Sequence, residues 1–176
     1  SVSGKIFDEK LKLQALNSIC SLLEKFLPER QNYSQIFNAT NAFIDLLTFQ
    51  DESKNDYWME GYVKWEIGVL SSIGFSLDLN RCAVTGSDTN LLFVSPKTGK
   101  AVSKEGAGRH APRLLLLPSF LGGDNVIGSN FYKEILAGLN ITSYFFKNKL
   151  LLSINTNKPI NLPNPRIRFV ELIEKL

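Results

Sequence analysis

The sequence predicts a mainly α protein, a helical bundle carrying one small inserted module of turns and a β-hairpin. Three observations predict it. Apolar residues recur at three- and four-residue steps from Leu16 to Ile73 and again beyond Asn130, the period of amphipathic helices. Between Leu77 and Pro118 that period fails, and glycines and prolines crowd in. Over 176 residues, 44% are hydrophobic and 21% charged, a balance that supplies a core and excludes a disordered or collagen-like chain.

The elements follow in order. Leu16, Ile19, Leu23, Phe26 and Leu27 form the stripe of a first helix. Asp8 is expected as its N-cap and Pro28 as its stop, since proline lacks an N–H and crowds the preceding turn. A second helix is expected from about Ser34, with Ile36, Phe37, Thr40, Phe43, Ile44 and Leu47 on one face. The polar run Asp51–Asn55 breaks it. Trp58, Tyr62, Trp65, Val69 and Ile73 then pattern a third helix, with Gly74 suited to the position just past its end.

In the module, Leu91–Val94 reads as a short buried strand, Pro96–Gly99 as a turn and Lys100–Ser103 as the returning strand. Helix resumes over about Asn130–Leu150. A polar stretch with Pro159, Pro163 and Pro165 follows, and Arg166–Leu176 fits a short helix packing Ile167, Val170 and Ile173. The expected organisation is one domain, residues 1–176, with the module inserted at about 77–118.

The longest apolar run, Leu114–Leu117, ends at Pro118, far short of the roughly 20 residues that span a bilayer. Ser1–Ile6 lacks the zones of a signal peptide. The expectation is a cytoplasmic chain whose two cysteines, Cys20 and Cys82, stay reduced.

Charge is unevenly spread. The net charge is only +3, but from Arg81 to Arg113 six bases face two acids, a local +4, while the remainder has fourteen bases and fifteen acids, −1. Arg81, Lys97, Lys100, Lys104, Arg109 and Arg113 are therefore the candidate binding residues. Such a field attracts phosphates or acidic peptides over a Debye length of roughly 8 Å.

Enzyme motifs do not assemble. His110 is the sole histidine and sits in a loop-like stretch without an obvious orienting carboxylate, so no Ser/His/Asp or Cys/His arrangement is expected. Gly99-Lys100 is followed by Ala101, and Val94 stands where a phosphate-cradling loop needs glycine. Gly106-Ala107-Gly108 lacks the third glycine of a dinucleotide fingerprint. Cys82 supplies one thiolate where a zinc ribbon needs four ligands. No catalytic residue, metal or cofactor is expected. Aromatic residues such as Trp58, Tyr57, Tyr62, Trp65 and Phe145 are expected mostly in the core, although an exposed one can stack on a base.

Three strings carry a resemblance: Leu77-Asp78-Leu79-Asn80-Arg81-Cys82-Ala83-Val84-Thr85-Gly86, Leu92–Ser103 and Arg113–Pro118. With Leu16-Asn17-Ser18, Pro28-Glu29-Arg30 and Trp65-Glu66 leading into Gly74, they resemble the C-terminal domain of the bacterial RecO repair family over nearly the whole chain. The resemblance implies a non-enzymatic mediator of recombinational repair. Its expected partners are single- and double-stranded DNA, the acidic, apolar tail of single-stranded DNA-binding protein, and RecR, with which it loads RecA and anneals strands. No membrane is implied. The family's N-terminal OB-fold barrel has no counterpart in these residues. Some members hold zinc through two cysteine pairs; here Cys82 stands with Thr85, Ser103 and Gly106 at the other three places, which implies a metal-free, degenerate zinc-ribbon-like module. A protein–protein adaptor that docks an acidic tail without touching DNA is the alternative.

Overall fold

The computed structural model describes residues 2–27, 32–48, 56–124, 130–153 and 161–176. Six helices and a three-stranded sheet account for most of them, so the mainly α fold with a small β module is what the chain adopts. Among the described residues, no helix is long and apolar enough to cross a membrane.

Helix α1 (Val2–Phe26) buries Leu11, Ala15, Ile19, Leu22 and Phe26, one stripe at helical spacing, and lies against α6 (Asn164–Ile173). Asp8 is not its N-cap. The helix begins six residues earlier, and Asp8 instead pairs with Lys12 one turn on, at 3.1 Å. Pro28 lies outside the described residues, as does the Asp51–Asn55 break. Helix α2 (Ser34–Thr48) turns Ile36, Phe43 and Leu47 inward. Phe37 and Ile44, expected on the same face, are 66% and 40% exposed, because the inward stripe follows the 36–40–43–47 line and they lie beside it.

Helix α3 (Trp58–Ser72) is the central element, with eight of its fifteen side chains buried. It packs against both α2 and α5 (Phe131–Ser153). At the α3–α5 crossing sits Gly138, where a Cβ would stand 2.8 Å from Val63 Cγ1 and 2.9 Å from Phe120 Cζ. Only a glycine lets the helices meet this closely. Tyr62 joins Phe169 of α6 (ring centroids 4.5 Å apart) and hydrogen-bonds Ser18 of α1 at 2.6 Å. Trp65 donates its indole N–H to Thr40 of α2 at 2.9 Å. The expected aromatic core therefore forms, with Trp58, Tyr62, Trp65 and Phe145 buried, while Tyr57 is 54% exposed.

The sheet has the order β2-β1-β3 and is antiparallel throughout. β1 (Leu91–Val94) and β2 (Ala101–Ser103) pair Val94 with Ala101 and Leu91 with Ser103, with a bulge between Leu91 and Phe93. β3 (Leu115–Leu116) joins the other side of β1 and rests on α5. On the free side of β2, Ala101 N–H donates to Asp78 O and Ala83 N–H to Ala101 O. The 78–83 strip thus covers an edge that would otherwise expose unpaired backbone groups. After β2 come the one-turn helix α4 (Lys104–Ala107), capped by Ser103, and a 3-10 turn, Gly108–Arg113. In α6 the buried set is Arg166, Phe169 and Ile173; the expected Ile167 and Val170 are half-buried.

Candidate nucleic-acid interface

The hairpin sets where the basic residues go. Lys97 lies in the β1–β2 turn and Lys100 just before β2, while Lys104 opens α4 and Arg109 and Arg113 sit in the 3-10 turn that follows. Lys100 and Lys104 are separated by the length of β2, about 13 Å at strand rise. Arg81 lies on the strip beside β2. β3 runs back from the turn, with Leu115 opposite Val94, so Arg113 lies toward the turn end of the hairpin with Lys97 and Lys100. Lys104 stands at the open end, and Arg109 is in the 3-10 turn between Lys104 and Arg113. All six are exposed. The ion pairs among the described residues are Lys12–Asp8 and Arg166–Glu66, so no such pair neutralises any of the six. Glu105 lies in the same module and accepts from Asn90 at 3.4 Å. His110 is exposed on the 3-10 turn.

Beneath the basic surface, one thiol organises the turns. Cys82 is 3% exposed, and its Sγ accepts N–H donors from Ser103 at 3.2 Å and from Val84 and Thr85 at 3.4 Å. Ser103 Oγ in turn accepts from Gly106 N–H at 3.1 Å and lies 3.4 Å from Thr85 Oγ1. A Cβ at Gly106 would be 2.8 Å from the sulfur. Burial pushes the thiol up, but the donors from Ser103 and Thr85 outweigh it and bring it down to about 6.

A groove of about 220 Å³ opens where the end of α3, the β1–β2 turn and α5 meet. Phe75, Leu77, Pro96 and Phe145 give it apolar walls, and Lys97 and Asn148 stand at it. The turn is pressed against those walls: Gly99 has φ +69°, and a Cβ there would meet Leu77 Cδ2 at 2.9 Å and Phe145 Cζ at 3.6 Å.

Comparison with known proteins decides the family. The family model described as Recombination protein O C terminal matches residues 11–158. A DNA repair protein RecO from Ruegeria sp. is 38% identical over 175 residues, covering 99% of this chain and 68% of the relative. Its counterpart from Cereibacter sphaeroides is 40% identical over 170 residues, 97% of this chain and 66% of the relative. The chain belongs to the RecO family. It spans about two thirds of the length of these RecO relatives, and no solved structure matches it.

The zinc position implied by the resemblance to RecO does not fit the residues present. A structural zinc takes four Cys, His or carboxylate ligands. Cys82, Thr85, Ser103 and Gly106 do converge, but three of the four offer a hydroxyl or no side chain. Among the described residues, no three His, Cys, Asp or Glu side chains come together to hold a metal. Backbone N–H groups meet the sulfur instead.

Two features of this RecO chain escape sequence reading. One is the groove, whose walls come from three separate stretches. The other is a buried polar cluster in which Arg166 binds Glu66, Ser143 Oγ and Leu139 O. Its only local signal is Glu66 itself, an acid set between Trp65 and Ile67.

Proposed function

We propose that the chain is the C-terminal part of a RecO-type mediator of DNA repair and recombination, acting by binding and not by catalysis. The observation that carries this reading is the basic module: six exposed cations around one small sheet, held by no ion pair among the described residues. Cations so arranged contact phosphates and release counterions. Family membership supports the finer reading, in which the partners are single- and double-stranded DNA, the acidic tail of single-stranded DNA-binding protein, and RecR, with RecA loading and strand annealing as the outcome. The module at about 77–118 is read as an insertion within one helical domain of 1–176.

The adaptor reading, an acidic tail docked without DNA contact, draws on one observation. Phe37 and Ile44, two turns apart on α2, expose apolar side chains on one helical face, as a protein contact would require.

Fluorescence titration of the chain with labelled single-stranded DNA, and separately with an acidic Phe-terminated peptide, tests both. DNA binding that weakens steeply with salt and is lost in Lys100→Glu and Arg113→Glu supports the mediator reading. Peptide binding without DNA binding supports the adaptor.

A further inference from the structure

The groove between α3, the β1–β2 turn and α5 combines three properties that together describe one ligand. It is small: about 220 Å³, below the roughly 300–1,000 Å³ of clefts that take drug-sized molecules, and on the scale of one ring system. It is amphipathic, with the half-buried Phe75 and Leu77 as walls and the Asn148 carboxamide beside them. That carboxamide makes no hydrogen bond to any described side chain or backbone group, so a donor and an acceptor are both free. Finally, cations stand on its hairpin side: Lys97 lines it and Lys100 follows Gly99 of its wall, both exposed, and α5 carries no acid after Glu134. Asp78 is joined to the turn by its backbone N–H, which donates to Gly99 O at 3.0 Å, leaving two cations to one anion.

We propose that this groove takes one unpaired base of single-stranded nucleic acid. The base packs on Phe75, Asn148 hydrogen-bonds its edge, and Lys97 and Lys100 hold the flanking phosphates. This rests on the DNA-binding reading above and assigns it a strand preference. A base in a duplex is stacked and has its pairing edge engaged, so it cannot enter; a splayed base presents both a face and an edge. An aromatic peptide side chain would use the same walls but leave the free donor and acceptor of Asn148 unpaired, which is why a base is the better occupant.

The test is fluorescence anisotropy of the chain with a labelled single-stranded oligonucleotide, an abasic strand of equal length and a duplex. Asn148→Trp fills the groove from a half-exposed helix position, and Asn148→Ala empties it of the amide without adding bulk. Asn148→Trp should weaken single-strand binding roughly tenfold, the effect of losing one stacked base, and leave the abasic strand and duplex unchanged. Asn148→Ala should weaken the single strand by a few-fold, and serves alone where thermal melting shows the Trp variant misfolded. Equal loss on all three nucleic acids, or no loss on any, overturns the proposal and leaves the DNA-binding reading standing. Binding of an acidic Phe-terminated peptide that Asn148→Trp abolishes, with single-strand binding intact, makes the groove a peptide site and also overturns it. Absence of single-strand binding by the unmodified chain overturns the DNA reading itself.

Discussion

Arg166 on α6 grips Glu66 on α3 with two parallel bonds, Nε to Oε1 at 3.0 Å and Nη2 to Oε2 at 3.1 Å. Both side chains are buried, 3% and 0% exposed. The cluster extends to α5: Arg166 Nη1 donates to Ser143 Oγ at 2.6 Å and Nη2 to Leu139 O at 3.1 Å, while Thr142 Oγ1 donates to Glu66. One guanidinium therefore fixes three helices in register.

Breaking that pair leaves a charge in the core without its partner. Arg166→Met or Glu66→Leu should each destabilise the chain by about 3–5 kcal/mol, whereas replacing both by apolar residues should cost much less than the sum. Urea denaturation of the two single variants and the double variant measures this. Strictly additive losses would mean that the two side chains do not act as a pair.

Cys82 makes stability depend on pH. Its thiol sits at about 6 in the folded chain against an ordinary 9.0, so between those values the unfolded state binds more protons. Stability should rise with pH across the window from about 6 to 9, by at most about 1.4 kcal/mol per unit, and this contribution is lost as pH falls to about 6. Cys82→Ala should flatten the profile across that window. A slope unchanged by the substitution would assign the dependence to another group.

The closure of the same knuckle by N–H donors in place of a metal has its own consequences. Prolonged chelation should leave the melting temperature unchanged, and elemental analysis should find zinc well below one per chain. Gly106→Ala should destabilise by about 1–3 kcal/mol, the usual cost of overpacking, because its Cβ would stand 2.8 Å from Cys82 Sγ and 3.1 Å from Val84 Cβ. A melting temperature that drops on chelation would contradict this account of the module.

Local periodicity was enough to read the helices and the hairpin, because each depends on neighbours a few positions away. Leu91–Val94 and the Gly74 stop, where φ is +97°, match their expected places for that reason. Periodicity fails where two stripes overlap. In α2, Ile36 and Phe37 both fit a helical repeat, and only contact with α3 selects Ile36. Strand β3 is two residues long and depends on β1, more than twenty positions away, so no local pattern marks it. The basic residues were legible as a charge excess. Their division between the two ends of the hairpin was not, since it follows from how β2 separates Lys100 from Lys104. The Glu66–Arg166 pair joins residues 100 positions apart, a relation that one sequence does not display.

That division makes a prediction about DNA binding. Single-strand affinity should fall with salt by roughly 0.7 log units per log unit of salt for each phosphate contacted. Neutralising one contacting base should therefore lower the slope by about that amount. Lys97→Ala, Lys100→Ala and Arg113→Ala remove cations at the turn end of the hairpin; Lys104→Ala removes one at the open end and Arg109→Ala one on the 3-10 turn between. A strand running the length of the hairpin requires slope losses from both groups, and the paired substitution Lys100→Ala with Lys104→Ala should lower the slope by the sum of the two. Losses confined to one group would place the strand across that end alone and assign the other cations to a different partner.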